Sequence, residues 1–191
     1  GAIGWLCVPR FDAPSVFATI LDRSAGGFRL GPALMGVPAG RRYEPGTNVL
    51  ETAWQTPTGW LVVRDALVIG PWRSRGADAV PTAHTRPPTD HEAHHVLVRT
   101  ITCIHGWGQI EALCEPMFDY GRVPATWERV EGEAGACDAK ADGQPTLRLM
   151  SDLGLGIEGG CVRARTRINK GETRFCALSW SSRLDGPQSA E

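Results

Sequence analysis

The stretch that decides the fold is Asn48-Val-Leu-Glu-Thr-Ala-Trp-Gln-Thr56-Pro-Thr-Gly59-Trp-Leu-Val-Val-Arg-Asp65-Ala-Leu-Val-Ile69. Two runs rich in β-branched and aromatic residues, 48–56 and 60–69, flank Pro57-Thr58-Gly59. Proline presets φ for a turn and glycine accepts a positive φ, so this text predicts a β-hairpin.

The same alternation of β-forming runs and turn residues continues to the end of the chain. Residues 95–104 and 109–117 predict a second hairpin around His105-Gly-Trp-Gly108, and residues 162–168 and 173–180 a third around Asn169-Lys-Gly171. Further strands are predicted at residues 5–10, 28–30, 126–130 and 146–150, with a mobile loop at 131–143. Roughly ten or more antiparallel strands, each burying one face, predict an all-β fold, a large antiparallel β-sandwich.

One segment near the N-terminus has a helical pattern. Val16, Phe17, Ile20 and Leu21 recur at helical spacing between the turn at residues 11–14 and Ala25-Gly-Gly27. We therefore predict one short helix near the N-terminus, at residues 15–22.

Composition excludes several classes of function. The 191 residues include 20 Lys and Arg against 21 Asp and Glu, with 42% hydrophobic residues. The chain lacks the surplus of positive charge that binding to nucleic-acid phosphates requires. No window approaches the ~18 apolar residues of a membrane helix.

The domain organisation is predicted from the two ends of the sequence. The chain begins without Met, and we expect it to be a piece of something longer. We expect a sandwich domain at residues 1–183 and the start of a linker at residues 184–191.

Cysteine and histidine do not predict a cofactor. None of the six cysteines forms a C-x-x-C pair, and we expect all six to be reduced thiols in a cytoplasmic protein. His91, His94 and His95, with His84 and His105 nearby, match no defined zinc spacing. A polar loop running into a strand explains them better than a metal site.

Three groups of residues have both a structural and a functional interpretation. Asp65 falls on the apolar face of its strand. It is either a catalytic or ligand-binding carboxylate with a perturbed pKa, or a structural residue that forms an ion pair or caps a turn near a strand bend. Arg163, Arg165 and Arg167 alternate along one strand face, which is either solvated or contacts an anion or acidic partner. The seven tryptophans could include a sugar-stacking platform or be ordinary core residues. No pair of carboxylates with glycosidase spacing is evident.

Four segments resemble one known family. They are Gly1-Ala-Ile-Gly-Trp5-Leu-Cys-Val-Pro-Arg10-Phe-Asp-Ala-Pro-Ser15-Val-Phe-Ala18, Arg41-Arg-Tyr-Glu-Pro-Gly-Thr-Asn-Val-Leu-Glu-Thr52, Phe118-Asp-Tyr-Gly-Arg122 and Ala177-Leu-Ser-Trp180. In order and spacing they resemble bacterial glycoside hydrolase family 15 proteins, the glucoamylase and trehalase-like enzymes. The resemblance covers nearly the whole chain. It departs at Gly4, where the family usually has Asp, and the family's preceding strand is missing.

The resemblance implies a supersandwich-like, non-catalytic N-terminal domain that precedes an (α/α)6 barrel. In the family, the general acid and general base are glutamates of that barrel, which act with inversion on an α-glucosidic bond. The barrel is absent here, so no catalytic residue carries over. The expected partner is the barrel of the same polypeptide, with a glucoside as a possible ligand and no cofactor.

Two loops are candidate contact sites. We predict that Arg10, Phe11 and Asp12, with Asp119, Tyr120 and Arg122, face the barrel and shape the interdomain surface near the substrate cleft. The alternative is that Asp12 caps the helix and Arg10 pairs with a neighbouring carboxylate.

Three functions remain open at this point. The first is the N-terminal domain of a family 15-like hydrolase acting on trehalose, malto-oligosaccharide or a related glucoside. The second is a stand-alone carbohydrate-binding module, which an exposed coplanar aromatic pair would favour. The third is an independent structural or partner-binding sandwich. A large exposed apolar patch would favour the first function, because it would indicate docking to a missing domain.

Overall fold

The computed structural model describes residues 1–34, 36–68 and 95–180, and these form an antiparallel all-β sandwich with one short helix. The described strands are, in chain order, β1 Ala2–Ile3, β2 Leu6–Cys7, β3 Ser15–Phe17, β4 Gly27–Pro32, β5 Gly40–Tyr43, β6 Leu50–Thr56, β7 Gly59–Val68, β8 Val96–Glu115, β9 Val123–Pro124, β10 Thr126–Arg129, β11 Ala136–Lys140, β12 Leu147–Ser151, β13 Gly156–Glu158, β14 Cys161–Asn169 and β15 Thr173–Trp180. The helix α1 is Phe118–Gly121. The predicted fold class is thus confirmed.

Strand β8 organises the whole molecule, because its two halves belong to two different sheets. Its first half pairs with β7 and β15, and its second half pairs with β4 and β14. The described strands of the larger sheet run in the order β10-β11-β12-β15-β8-β7-β6-β5. Those of the smaller sheet run β1-β4-β8-β14-β13.

The bend in β8 depends on glycine. Gly106 has φ 65°, a left-handed conformation that glycine adopts without the clash of a Cβ. A Cβ on Gly106 would collide with the carbonyl oxygen of Thr58, and a Cβ on Gly108 would lie 2.7 Å from the Leu61 side chain. The chain can therefore pass from one sheet to the other at this corner.

The core lies between the two sheets. Phe28, Leu30 and Ile110 of the smaller sheet are fully buried with Leu61 and Ile101 of the larger one. Side chains of alternate residues on both inner faces fill this space, as expected for packed sheets.

A buried arginine connects the sheets within this core. Arg99 of β8 is completely buried, and its Nε donates to Asp65 Oδ1 of β7 at 2.7 Å. Its Nη1 donates to the carbonyl oxygen of Phe28 in β4 at 2.6 Å, and its guanidinium lies 4.7 Å from the Phe28 ring centroid. Of the two interpretations of Asp65, the structural ion pair is confirmed.

The hairpin at residues 48–69 is confirmed as β6 and β7, which pair from Leu50 with Asp65 to Thr56 with Gly59. Strands at residues 28–30, 126–130 and 146–150 are also confirmed, within a residue or two, as β4, β10 and β12. Of residues 5–10, only Leu6–Cys7 is a strand.

The predicted helix at residues 15–22 is wrong. Ser15–Phe17 is a strand, and all three of its residues are buried. Only one turn follows, in which the Leu21 and Asp22 amides both donate to the Ala18 carbonyl. The apolar spacing at residues 16–21 is therefore produced by a strand followed by one turn. Burial of both faces of Ser15–Phe17 outweighs the local helical pattern. The one described helix is instead α1.

The second predicted hairpin, at residues 95–117, is also wrong. These residues form the single strand β8, so Cys103 and Cys114 lie along one strand. The residues predicted to turn, His105 to Gly108, do fold the strand back, but its two halves join different sheets and do not pair with each other. The bend is held because Trp107 donates its amide to the Thr58 carbonyl at 3.0 Å.

The third predicted hairpin has the right strands but the wrong pairing. Strands β14 and β15 each pair with β8, on opposite sides of its bend. The turn between them crosses the corner, where Lys170 and Gly171 donate amide hydrogen bonds to the carbonyls of Gly106 and Cys103.

The predicted mobile loop at residues 131–143 contains a strand, β11, which pairs with β10 and β12. Its composition is poor in β-forming residues, but Ala136, Cys137 and Ala139 are buried. Asp138 in this strand binds Arg148 of β12 with hydrogen bonds of 2.8 and 3.0 Å. Packing and this ion pair outweigh local propensity here.

Candidate functional site

The loop between β2 and β3 holds the first three predicted contact residues. Arg10 binds both carboxylate oxygens of Asp12, at 3.0 and 3.2 Å, and the Ala13 amide closes the turn on the Arg10 carbonyl. Phe11 lies between the paired residues with 90% of its surface exposed. The loop therefore presents a bare aromatic ring on a turn braced by an ion pair.

The structural alternative for this loop, in which Asp12 caps a helix and Arg10 pairs with a carboxylate, is half right. Asp12 does not cap a helix, because a strand follows it. Arg10 does pair with a neighbouring carboxylate, which is Asp12 itself. Both side chains are mostly exposed, so the ion pair adds little to folding stability.

The turn α1 holds the other three predicted residues. Asp119, Tyr120 and Gly121 all have left-handed backbone conformations, with φ of 50°, 58° and 88°. Left-handed conformations are costly for residues with a Cβ, by about 1–2 kcal/mol each. Strain of this kind tends to persist at functional positions, where surrounding contacts hold it.

Packing around α1 maintains this unusual turn. Phe118 is fully buried, and α1 packs against β3. A Cβ added to Gly121 would lie 2.5 Å from the Cβ of Ala25, so only glycine fits there. Arg122 and Asp119 form an exposed ion pair at 3.4 Å.

Beside α1 lies an aromatic patch, which we define as Trp5, Ile20 and Tyr120. The Trp5 and Tyr120 rings have centroids 6.3 Å apart, and a Cβ on Gly4 would lie 3.9 Å from Ile20. All three side chains are exposed, Ile20 by 72%. The patch is apolar surface that the described part of the chain leaves uncovered.

Gly4 fits its position beside this patch. A Cβ at this residue would collide with the Thr19 hydroxyl oxygen, which donates a hydrogen bond of 3.2 Å to the Gly4 carbonyl. In this chain Thr19 occupies the space that the family's usual Asp side chain would need.

The six predicted residues thus fall into two separate clusters. Arg10, Phe11 and Asp12 form one, and Asp119, Tyr120 and Arg122 form the other. Within the described residues no hydrogen bond or ion pair joins the two clusters. They share a support, because the loop follows β2, β2 pairs with β3, and α1 packs on β3.

The sequence did not identify Trp5 and Ile20 as surface residues, because its pattern assigned Trp5 to a strand and Ile20 to the apolar spacing of a helix. The run Asp22-Arg-Ser-Ala-Gly-Gly27 was a usable signal, because so many turn residues directly after Leu21 favour an exposed turn. Nothing local to Trp5 indicated that its ring meets Tyr120.

Other candidate chemistry is occupied or absent. In the described part of the chain, the buried carboxylates of Glu51 and Asp138 are bound by arginines, and the shallow pocket near Glu51 is lined by Arg41 and Arg42. No described group of His, Cys, Asp and Glu could hold a metal ion. His84, His91 and His94 lie outside the described residues.

The described cysteines lack the features of catalytic thiols. All six are free, and burial raises the pKa of Cys114 well above its usual range and also raises the pKa of Cys176. A raised pKa lowers the thiolate fraction, which is the reactive form.

The arginine strip is exposed, and three of the described tryptophans are buried. Arg163, Arg165 and Arg167 lie on one exposed face of β14, and its role as a solvated face or as a contact for an anion or acidic partner stays a prediction. The Arg167 guanidinium lies 4.0 Å from the Trp107 ring centroid and covers one face of that ring. Trp54, Trp127 and Trp180 are buried, and Trp72 lies outside the described residues.

Residues 1–67, which reach from β1 into β7, match the family described as trehalase-like, N-terminal. Residues 1–67 belong to the trehalase-like N-terminal family. The family match includes the β2–β3 loop and two members of the aromatic patch, Trp5 and Ile20.

Longer relatives extend the similarity of this trehalase-like domain past residue 67. A trehalase of Mycolicibacterium smegmatis is 53% identical over 195 residues, covering 100% of this chain and 29% of the relative. A trehalase of Mycobacterium tuberculosis is 51% identical over 185 residues, covering 95% and 27%. Trehalase 1 of Sulfolobus acidocaldarius is 39% identical over 70 residues, covering 37% and 12%. The chain therefore spans less than a third of the length of these relatives.

No helix in the described part of the trehalase-like domain has the length and apolar character needed to cross a membrane.

Proposed function

We propose that this chain is the non-catalytic N-terminal domain of a glycoside hydrolase family 15-like trehalase. Its role is to stabilise and orient a catalytic (α/α)6 barrel of the same polypeptide, with trehalose or a related α-glucoside as the substrate. In this proposal residues 1–183 are the sandwich domain and residues 184–191 begin the linker to the barrel; residues 181–191 lie outside the described residues.

The observation that carries this proposal is uncovered apolar surface on a well-braced scaffold. Phe11 is 90% exposed, and Trp5 and Tyr120 expose their rings beside a strained turn. Contiguous exposed apolar patches usually mark interaction sites. The relatives named trehalases are more than three times as long as this chain, which supports a partner domain in the same polypeptide.

Within this proposal the two clusters have the same task. Phe11 and Tyr120 are aromatic anchors, and aromatic residues are enriched at protein interfaces. The Arg10–Asp12 and Asp119–Arg122 pairs flank them and provide a polar rim near the substrate cleft. The six free thiols support a reducing compartment, and we place the protein in the cytoplasm.

The test is made in the full-length protein. Phe11→Ser should lower kcat/KM for trehalose, the melting temperature or both, by an amount on the order of tenfold for kcat/KM at a hot spot. Phe175→Ser is the matched control, because this partly exposed aromatic residue of β15 lies outside both clusters.

Arg10→Ala tests the polar rim of the interface. If Arg10→Ala and Phe11→Ser both kept the wild-type kcat/KM and melting temperature, the contact role of this loop would be refuted. A full-length protein without any α-glucosidic hydrolysis would refute the proposed enzyme itself.

A further inference from the structure

The larger sheet is wider than the sheet that covers it. Eight described strands form the larger sheet and five the smaller one, with β8 counted in both. Some of the inner face of the larger sheet must therefore extend past its cover. Inner-face residues at that margin should be exposed although they continue the core pattern.

One row of paired residues shows where the cover ends. Leu178 of β15 pairs with Leu97 of β8, and Leu97 pairs with Leu67 of β7. Their exposed fractions are 0%, 5% and 58% in that order. Burial is lost between β8 and β7.

Leu67 belongs to the inner face and not to the outer one. It continues the alternating series Leu61, Val63 and Asp65, of which the first two are fully buried and the third binds buried Arg99. Successive residues of a strand point to opposite faces, so Leu67 points the same way as these three.

A second exposed residue extends this margin toward the sheet edge. Asp65 pairs with Leu50 of β6, and Leu50 pairs with Tyr43 of β5. Leu50 is half-buried and Tyr43 is 64% exposed. We define the overhang as Leu67, Leu50 and Tyr43.

The overhang and the aromatic patch lie at the same end of the sandwich. Because β8 folds back at Gly106, both of its ends lie away from that corner. The two ends are close to each other: Arg99, near the first end, donates to the carbonyl of Phe28, and Phe28 pairs with Cys114, near the second end. Leu67 pairs beside the first end of β8, and α1 follows the second.

The described chain also stops at this end. Trp180 lies two residues beyond Leu178. Leu178 and Leu67 lie in the same row of paired residues, two strands apart, so that their backbones are roughly 10 Å from each other. Polypeptide that continues past Trp180 starts next to the overhang.

We infer that the overhang is the second half of the docking surface, and that its occupant is the polypeptide that follows this domain in the longer protein. The inference rests on the proposed function only for the existence of that following portion. The occupant covers Leu67 and Tyr43 and so completes the apolar layer that the smaller sheet leaves open. The interface then runs from the aromatic patch to the edge strand β5.

Photo-crosslinking in the full-length protein tests this inference. Leu67→p-benzoyl-phenylalanine places a short-range crosslinker on the overhang, and mass spectrometry maps the linked peptides. We expect links from position 67 to residues beyond 183. The matched control is Ile104→p-benzoyl-phenylalanine, an exposed apolar position at the opposite corner, which should give no such links.

Every other outcome overturns the inference. Links from position 67 only to residues 69–94 would make that segment the cover, and links between two polypeptides would make a second copy the cover. No links at all would leave the overhang open to solvent. If links form as expected but the protein hydrolyses neither trehalose nor any related α-glucoside, the interface stands and the proposed function fails.

Discussion

At the scale of single residues, the Asp65–Arg99 pair is the strongest electrostatic feature of the described core. Arg99 is completely buried and Asp65 largely so. Asp65→Ala should lower the free energy of unfolding by about 3–5 kcal/mol, because it leaves a buried guanidinium without its counter-ion. Urea denaturation of the chain measures this loss.

A double substitution separates the ion pair from the packing around it. Asp65→Leu combined with Arg99→Met should recover much of the loss, since apolar residues of similar volume often replace a buried pair without cost. Glu128→Ala is the control, because its ion pair with Lys140 is half exposed and should cost less than about 1 kcal/mol. Equal losses for Asp65→Ala and Glu128→Ala would contradict the prediction.

Sequence analysis could identify Asp65 but not its partner. A carboxylate on an apolar strand face is visible in the alternation of one strand. Arg99 lies 34 positions away, and its Phe28 acceptor is 71 positions from it. Only the pairing of β7 with β8 and the packing of the two sheets bring these groups together.

At the scale of elements, the bend of β8 depends on Gly106. Gly106→Ala should destabilise the chain more than Gly171→Ala, although both residues have positive φ. The Gly171 variant meets no neighbouring atom and should lose only the ~1–2 kcal/mol of a left-handed residue. The Gly106 variant has in addition a collision with the Thr58 carbonyl.

Equilibrium denaturation of the two glycine variants makes this comparison. If Gly171→Ala were as destabilising as Gly106→Ala, backbone conformation alone would explain both, and the close approach of β6–β7 to β8 would not matter.

The two hairpins after residue 94 illustrate what local patterns leave undecided. Turn residues at 105–108 and 169–171 mark places where the chain changes direction, and the structure does change direction there. Whether the two segments that flank such a turn pair with each other or with other strands depends on which neighbours accept their hydrogen bonds. That choice belongs to the sheet, and the turn residues are compatible with either.

At the scale of the whole molecule, sharing β8 between both sheets should make unfolding cooperative. Leu149→Ala in the larger sheet and Leu30→Ala in the smaller one each remove a fully buried side chain. Each should cost about 2–5 kcal/mol and shift a single common transition. Tryptophan fluorescence and far-ultraviolet circular dichroism should report the same midpoint for each variant.

Two separated transitions would contradict this expectation. They would mean that one sheet can lose its structure while the other keeps the first or second half of β8 in place.

The surface that we propose for docking also becomes visible only at this scale. From the sequence we predicted that Arg10, Phe11, Asp12, Asp119, Tyr120 and Arg122 face an interdomain surface, and that role stays a prediction. The structure adds Trp5, Ile20, Leu67 and Tyr43 as exposed apolar residues at the same end. Leu67 in particular looks like a core residue in sequence, since its alternation continues that of Leu61 and Val63.

The sequence by itself determined the all-β class, the positions of most strands, the family and a turn after Thr56, which comprises Pro57 and Thr58, with Gly59 already in β7 and not at positive φ. These depend on local alternation, on turn residues and on motifs, all of which are written in neighbouring positions. Only the tertiary structure decided that residues 15–17 form a strand, that β8 belongs to two sheets, and which apolar residues stay uncovered. Those outcomes depend on hydrogen bonds and burial between segments far apart in the chain, and local propensity is too weak to determine them.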